Sequence, residues 1–191
     1  MRSKIVFTLG CLTAALLLTP ALRADSLCDG IAGNLVANCG FETGDTTGWN
    51  LVLANNGHDF YVSSNVAMFG AVDNQYDILS QTITTTAGQN YTLSFWLRDN
   101  DGDGAGSDTD FQALWNGASL LDQYTTDEGY VEYSYLVTGS GSDTLTFKGY
   151  NNPSYYILDD VSLTATPEPS SFLLLGTGLL GIAGMLRRRF V

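Results

Sequence analysis

The sequence predicts an all-β sandwich, and three observations predict it. No stretch between Asp25 and Thr166 keeps a 3.6-residue apolar period, short runs rich in Tyr, Thr, Val, Leu and Phe recur there, and clusters of Gly, Asn and Asp separate those runs. Strands are expected near residues 49–54, 58–63, 76–86, 90–98, 109–115, 118–124, 130–138, 143–149 and 155–164. About nine short strands at this spacing fold most readily as two packed sheets.

Each element has its own local reason. The fourth run, Tyr91 to Arg98, alternates cleanly: Tyr91, Leu93, Phe95 and Leu97 share the core face, and Thr92, Ser94, Trp96 and Arg98 share the other. Trp115-Asn116-Gly117 followed by Ser119-Leu120-Leu121 reads as a hairpin with Asn-Gly in its turn. Trp115 shares parity with Phe111 and Ala113 and belongs to the core, as does Trp49 after Gly48. In the last run Tyr156 and Leu158 occupy even positions, whereas Val161 and Leu163 occupy odd ones. Both pairs can face the core only if Asp159-Asp160 absorbs one extra residue, so a β-bulge is expected there.

Both ends of the chain read as address signals. Residues 1–24 carry Arg2 and Lys4, an apolar run from Ile5 to Leu18, then Pro20 and the small Ala24 before Asp25, the pattern of a secretory signal peptide. A lipoprotein reading of Leu9-Gly10-Cys11 is the rival, and it would cut inside the apolar run. At the C-terminus, Pro167-Glu168-Pro169 precedes the apolar segment 172–186 and then Arg187-Arg188-Arg189. As a helix those 15 residues would rise roughly 22 Å, short of the roughly 30 Å hydrocarbon core, which suits a temporary anchor. The arginines would stay on the cytoplasmic side and leave the body outside.

What lies between the signals is strongly acidic. Of the 191 residues, 20 are acidic and 8 basic, and residues 25–166 hold 19 acids against only Arg98 and Lys148, a formal charge of −17. Such a surface repels phosphate backbones and anionic headgroups, which excludes nucleic-acid binding. Once the leader leaves with Cys11, Cys28 and Cys39 remain, and in an oxidising compartment a pair eleven apart is expected to form a disulfide. It would close a short loop and contribute about 3 kcal/mol. A zinc shell would have only His58 to complete it.

The ordered triplet at the C-terminus, Pro167-Glu168-Pro169, glycine-bearing apolar segment and Arg187-Arg188-Arg189, resembles the PEP-CTERM sorting signal over residues 166–191. That resemblance implies an exosortase-type membrane transpeptidase as partner, cleavage near the motif, and release or attachment at the cell surface. A plain C-terminal membrane anchor is the alternative.

The opening Asn34-Leu35-Val36-Ala37-Asn38-Cys39-Gly40-Phe41-Glu42, with Gly48-Trp49, and the closing Tyr156-Ile157-Leu158-Asp159-Asp160-Val161 resemble the ends of the galactose-binding-like jelly-roll of carbohydrate-binding modules. The resemblance implies a jelly-roll domain over residues 25–165 and a structural calcium held by Glu42 and Asp160, with Asp159 beside them. Cys39 stands where that family commonly has Gly.

A second candidate calcium site comes from spacing. Counted from Asp99, the segment through Asp110 puts oxygens from Asp99, Asp101, Asp103, Ser107 and Asp110 at positions 1, 3, 5, 9 and 12, with Gly104 at position 6, as in an EF-hand loop. A solvated acidic hairpin loop is the plainer reading of the same residues. For ligand binding, Trp96 beside Arg98, with Gln112 and Leu114 on a neighbouring strand, could offer a surface on which a sugar stacks. Tyr124, Tyr130, Tyr150 and Tyr155 are further rim candidates. His58 has no nucleophile motif around it, and 19 acids single out no carboxylate pair for glycoside hydrolysis. The expectation is a non-catalytic exported protein that binds polysaccharide at the cell surface or in the extracellular matrix. The alternatives are a structural or adhesive protein without a sugar site, or a glycan hydrolase.

Overall fold

The computed structural model describes residues 26–54, 60–71, 74–100, 109–123, 129–166 and 177. The leader at 1–24, His58, Asp101, Asp103, Tyr124 and the tail residues Pro167, Glu168, Pro169, Arg187, Arg188 and Arg189 lie outside them. Among the described residues no helix is long and apolar enough to cross a membrane.

A short 3-10 helix, Leu27–Gly30, precedes ten strands: β1 (Asn50–Val52), β2 (Phe60–Ser63), β3 (Val66–Phe69), β4 (Asp77–Thr84), β5 (Asn90–Asp99), β6 (Thr109–Trp115), β7 (Ala118–Gln123), β8 (Val131–Thr138), β9 (Ser142–Asn151) and β10 (Tyr156–Ala165). They form two five-stranded sheets, β1-β4-β9-β6-β7 and β2-β3-β10-β5-β8, with antiparallel neighbours throughout. The expected sandwich is therefore present, with one more strand than the sequence pattern suggests. That extra strand is β3, four residues long, joined to β2 through Ser64 and Asn65 at φ 52° and 63°. Ser tolerates the left-handed region less readily than Gly or Asn, so Ser64-Asn65 carries a weaker turn signal than Asn116-Gly117, which sits at φ 51° and 80° between β6 and β7.

Aromatic side chains close the space between the sheets. Phe95 of β5 meets Phe147 of β9 edge-on at 5.0 Å between centroids, and Phe69 of β3 meets Phe111 of β6 at 5.5 Å. Gly149 is required beside Phe69, because a Cβ at this position would stand 2.9 Å from Phe69 Cβ. Trp49 and Trp115 are both buried, as expected, Trp115 by its parity with Phe111 and Ala113. Trp49 stacks on Phe41 at 5.8 Å, and Trp115 Nε1 donates to Thr138 O.

Residues 26–41 are tied down along β10 and β4. Asn34 Oδ1 accepts from Val36 N and Leu163 N, and its Nδ2 donates to Val161 O and Cys28 O. Gln81 pairs with both backbone groups of Ala37 at 2.9 and 3.0 Å. The Cys28–Cys39 disulfide, with Cα atoms 6.0 Å apart, closes this segment as expected.

Candidate functional site

The expected bulge sets the geometry of the site. Pairing of β10 with β5 shifts register between Asp159 and Ser162, Asp160 takes φ 49°, and Tyr156, Leu158, Val161 and Leu163 are all fully buried. A regular strand would send successive residues to opposite faces. The bulge instead lets Asp159 and Asp160 line the same pocket on the outer face of the second sheet.

Trp96, Tyr130 and Leu27 complete that pocket, which encloses about 240 Å³. Trp96 reaches it because the alternation of β5 turns the indole outward, directly opposite Asp159 on β10 and Glu132 on β8. Tyr130 enters just ahead of β8 and is 42% exposed. Leu27, 67% exposed, is brought to the rim by the 3-10 helix, whose Cys28 N donates to Asp160 Oδ1 at 3.1 Å. The disulfide therefore braces one wall of the pocket. Arg98 follows Trp96 on the same outward face, opposite Ile157.

The electrostatics are acidic. Burial first, then the neighbouring Asp160 and Glu42 charges, push the Asp159 carboxyl up to about 7 against the hydrogen bond it receives from Asp160 N. Burial likewise raises the Tyr130 hydroxyl, with Asp159 and Asp160 adding to the shift and Arg98 opposing it. Two aromatic rings over carboxylates can stack on a pyranose face and accept from its hydroxyls or from a cation.

The other predicted residues are distributed more widely. Gln112 and Leu114 do not share a surface with Trp96: β6 lies in the first sheet and β5 in the second, so their outward faces are on opposite sides of the sandwich. The expected stacking surface is corrected accordingly. The first sheet's outer face instead gathers Gln112 with Asp110, Tyr76 and Tyr150: Gln112 Nε2 donates to Asp110 Oδ2 at 3.0 Å, Tyr76 also donates to Asp110, and Tyr76 meets Tyr150 at 5.0 Å. Tyr155 packs edge-on against Tyr61 at 5.3 Å, at the margin of the second sheet. Among the described rim candidates Tyr130 joins Trp96 in the pocket, and no local sequence signal separates it from Tyr155, which also directly precedes a strand.

The two described ends of the spacing-derived calcium loop are engaged separately. Asp99 is buried and accepts from Asn151 Nδ2 at 2.8 Å, bridging the two sheets, whereas Asp110 is held on the outer face by Tyr76 and Gln112. For the resemblance-derived set, Glu42 Oε2 accepts from Asn65 Nδ2 at 2.7 Å and Asp160 from Cys28 N. The donors suit calcium in kind, and Asp159 senses both neighbours as like charges. Their spacing is wider than one tight cage: among the described residues, the group of three candidate ligands within 4.8 Å of one another is Cys28, Asp29 and Cys39, two of which are spent in the disulfide.

Comparison with known proteins gives two findings. Residues 165–189 match the PEP-CTERM protein-sorting motif, the mark of an exported protein sorted to the cell surface. No curated protein matches the chain. Among solved structures, the K3 cleaved adhesin domain of Lys-gingipain from Porphyromonas gingivalis is similar at TM-score 0.52 and 14% identity, over 65% of this chain and 95% of that one. TmCBM61, solved in complex with β-1,4-galactotriose, aligns at TM-score 0.49 and 18% identity over 70% and 99%. A structure described as "CBM4 structure and function" aligns at 0.49 and 14% over 69% and 99%. The chain spans 21% of a bacteriophage CBA120 tailspike chain that it also matches. The protein is a jelly-roll β-sandwich that carries a C-terminal PEP-CTERM protein-sorting motif.

Proposed function

We propose that this is an exported, non-catalytic polysaccharide-binding protein of the cell surface or extracellular matrix, sorted by an exosortase-type transpeptidase through its C-terminal motif. The observation that carries the reading is the pocket of Trp96, Tyr130, Leu27, Asp159 and Asp160 on the outer face of the second sheet. An indole and a phenol on one side, with carboxylate acceptors on the other, are the two kinds of contact a pyranose needs. Strands β5 and β10 hold Trp96, Asp159 and Asp160, and Tyr130 joins them from just ahead of β8. That carbohydrate-binding modules are among its structural relatives supports this reading.

The test is a polysaccharide-binding screen on residues 25–166, which hold every strand and core residue described. Binding lost in Trp96→Ala with an unchanged melting temperature supports the proposal. Retained binding in that variant, or none to any glycan, overturns it. The adhesive alternative is favoured by one observation, the likeness to an adhesin domain, and predicts self-association without glycan binding.

Calcium is the rival occupant of these carboxylates: Glu42, Asp159 and Asp160 would have to draw together to hold it, and its charge would then relieve their repulsion. Chelation should then lower the melting temperature by several degrees, because a ligand bound only to the folded state stabilises it by roughly 3 kcal/mol at a hundredfold excess over Kd. An unchanged midpoint with and without calcium removes the ion from the account.

A further inference from the structure

We propose that the Trp96 pocket takes the protonated amine of an amino sugar, so that the polymer bound is a polysaccharide carrying free amino groups. The inference deepens the polysaccharide reading and rests on it.

The placement of charge around the indole carries it. In the register of the second sheet Trp96 stands between Glu132 on β8 and Asp159 on β10, each its direct cross-strand partner on the same outward face. Partners so placed have Cβ atoms roughly 5 Å apart, so the indole stands between two acidic residues, of which Asp159 lines the pocket and Glu132 stands beside it. The bulge adds Asp160 to the same pocket, and Tyr130 supplies a second ring. Against Glu132, Asp159 and Asp160 stands one base, Arg98, displaced two residue pairs along β5 and β10, opposite Ile157. An ammonium group gains from both features at once, the carboxylates by charge and the rings by cation–π attraction. Leu27 and the ring faces would cover the carbon skeleton of the sugar.

The rest of the molecule favours the same ligand class. With 19 acids and 2 bases between residues 25 and 166, the body repels polyuronates and sulfated polymers and attracts polycations over a Debye length. A bare divalent ion would use the carboxylates and leave the aromatic walls without a role.

The experiment is calorimetric titration of the full chain, solubilised in detergent, with four probes: a glucosamine tetrasaccharide, its fully N-acetylated counterpart, a neutral glucan tetrasaccharide and a uronate tetrasaccharide. The glucosamine probe should bind about tenfold tighter than the N-acetylated one, and Glu132→Gln and Asp159→Asn should each erase most of that preference. Glu132 is exposed, so its variant keeps the test open if the Asp159 variant fails to fold. Equal or tighter binding of the N-acetylated, neutral or uronate probe overturns the amine inference and leaves the polysaccharide reading standing. No binding of any of the four probes overturns the amine inference, and the broader screen above then decides the polysaccharide reading separately.

Discussion

Asp143 shows what a buried charge does here when nothing about it concerns ligand. Burial alone would raise its carboxyl, but hydrogen bonds from Thr85, from the Ser140 backbone and hydroxyl, and from Asn116 outweigh that and hold it well below the usual carboxylate range. One side chain thereby joins the β4–β5, β6–β7 and β8–β9 turns at one end of the sandwich. Because its folded-state pKa is depressed, its stabilisation is present above pH ~4 and is lost as pH falls further. We expect Asp143→Asn to cost about 2 kcal/mol at pH 7 by denaturant unfolding, and progressively less in acid. Asp159 has the opposite sign. Its raised pKa means that its ionised form is disfavoured in the fold, so its contribution is present below pH ~4 and is lost as pH rises through about 7. In calcium-free buffer Asp159→Asn should therefore raise the melting temperature relative to wild type at pH 8 and raise it less at pH 5. An equal gain at both pH values would contradict that origin.

Among the elements, β10 was the most legible in sequence. Its parity break at Asp159-Asp160 announces the bulge without any long-range knowledge, because the period of two leaves no other way to bury both Tyr156-Leu158 and Val161-Leu163. The disulfide and both buried tryptophans were legible for similarly local reasons. Two features were not. Strand β3 is short and lacks a strong turn signal, and the assignment of β5 and β6 to different sheets is a nonlocal fact that no alternation pattern records. That second miss placed Gln112 and Leu114 beside Trp96. The N-terminal segment supplies a prediction at this scale. The disulfide braces the helix that carries Leu27 and donates to Asp160, so the paired variant Cys28→Ser, Cys39→Ser should lower the melting temperature, by about 3 kcal/mol in stability, and weaken ligand binding as well. Weakened stability with full binding would separate the disulfide from the pocket.

For the whole molecule, the sequence separates destination from chemistry more sharply than it separates fold from function. The sorting motif and the acidic body are written in contiguous residues, whereas the pocket draws on Leu27, Trp96, Tyr130 and the Asp159-Asp160 bulge, four places that only the sandwich topology brings together. Processing should leave its own trace: mass spectrometry of the exported protein is expected to show ends trimmed near Ala24 and between Pro167 and Ser170, and a retained C-terminal segment would instead favour a plain anchor. The binding claim has a direct reporter, since Trp49 and Trp115 are buried at 7% and 6% exposure while Trp96 alone of the three tryptophans lines the pocket. Titrating polysaccharide while following tryptophan emission should give a saturable change in the wild-type protein that is absent from Trp96→Phe. Emission that stays constant across the glycan series, or an undiminished change in that variant, would contradict the account.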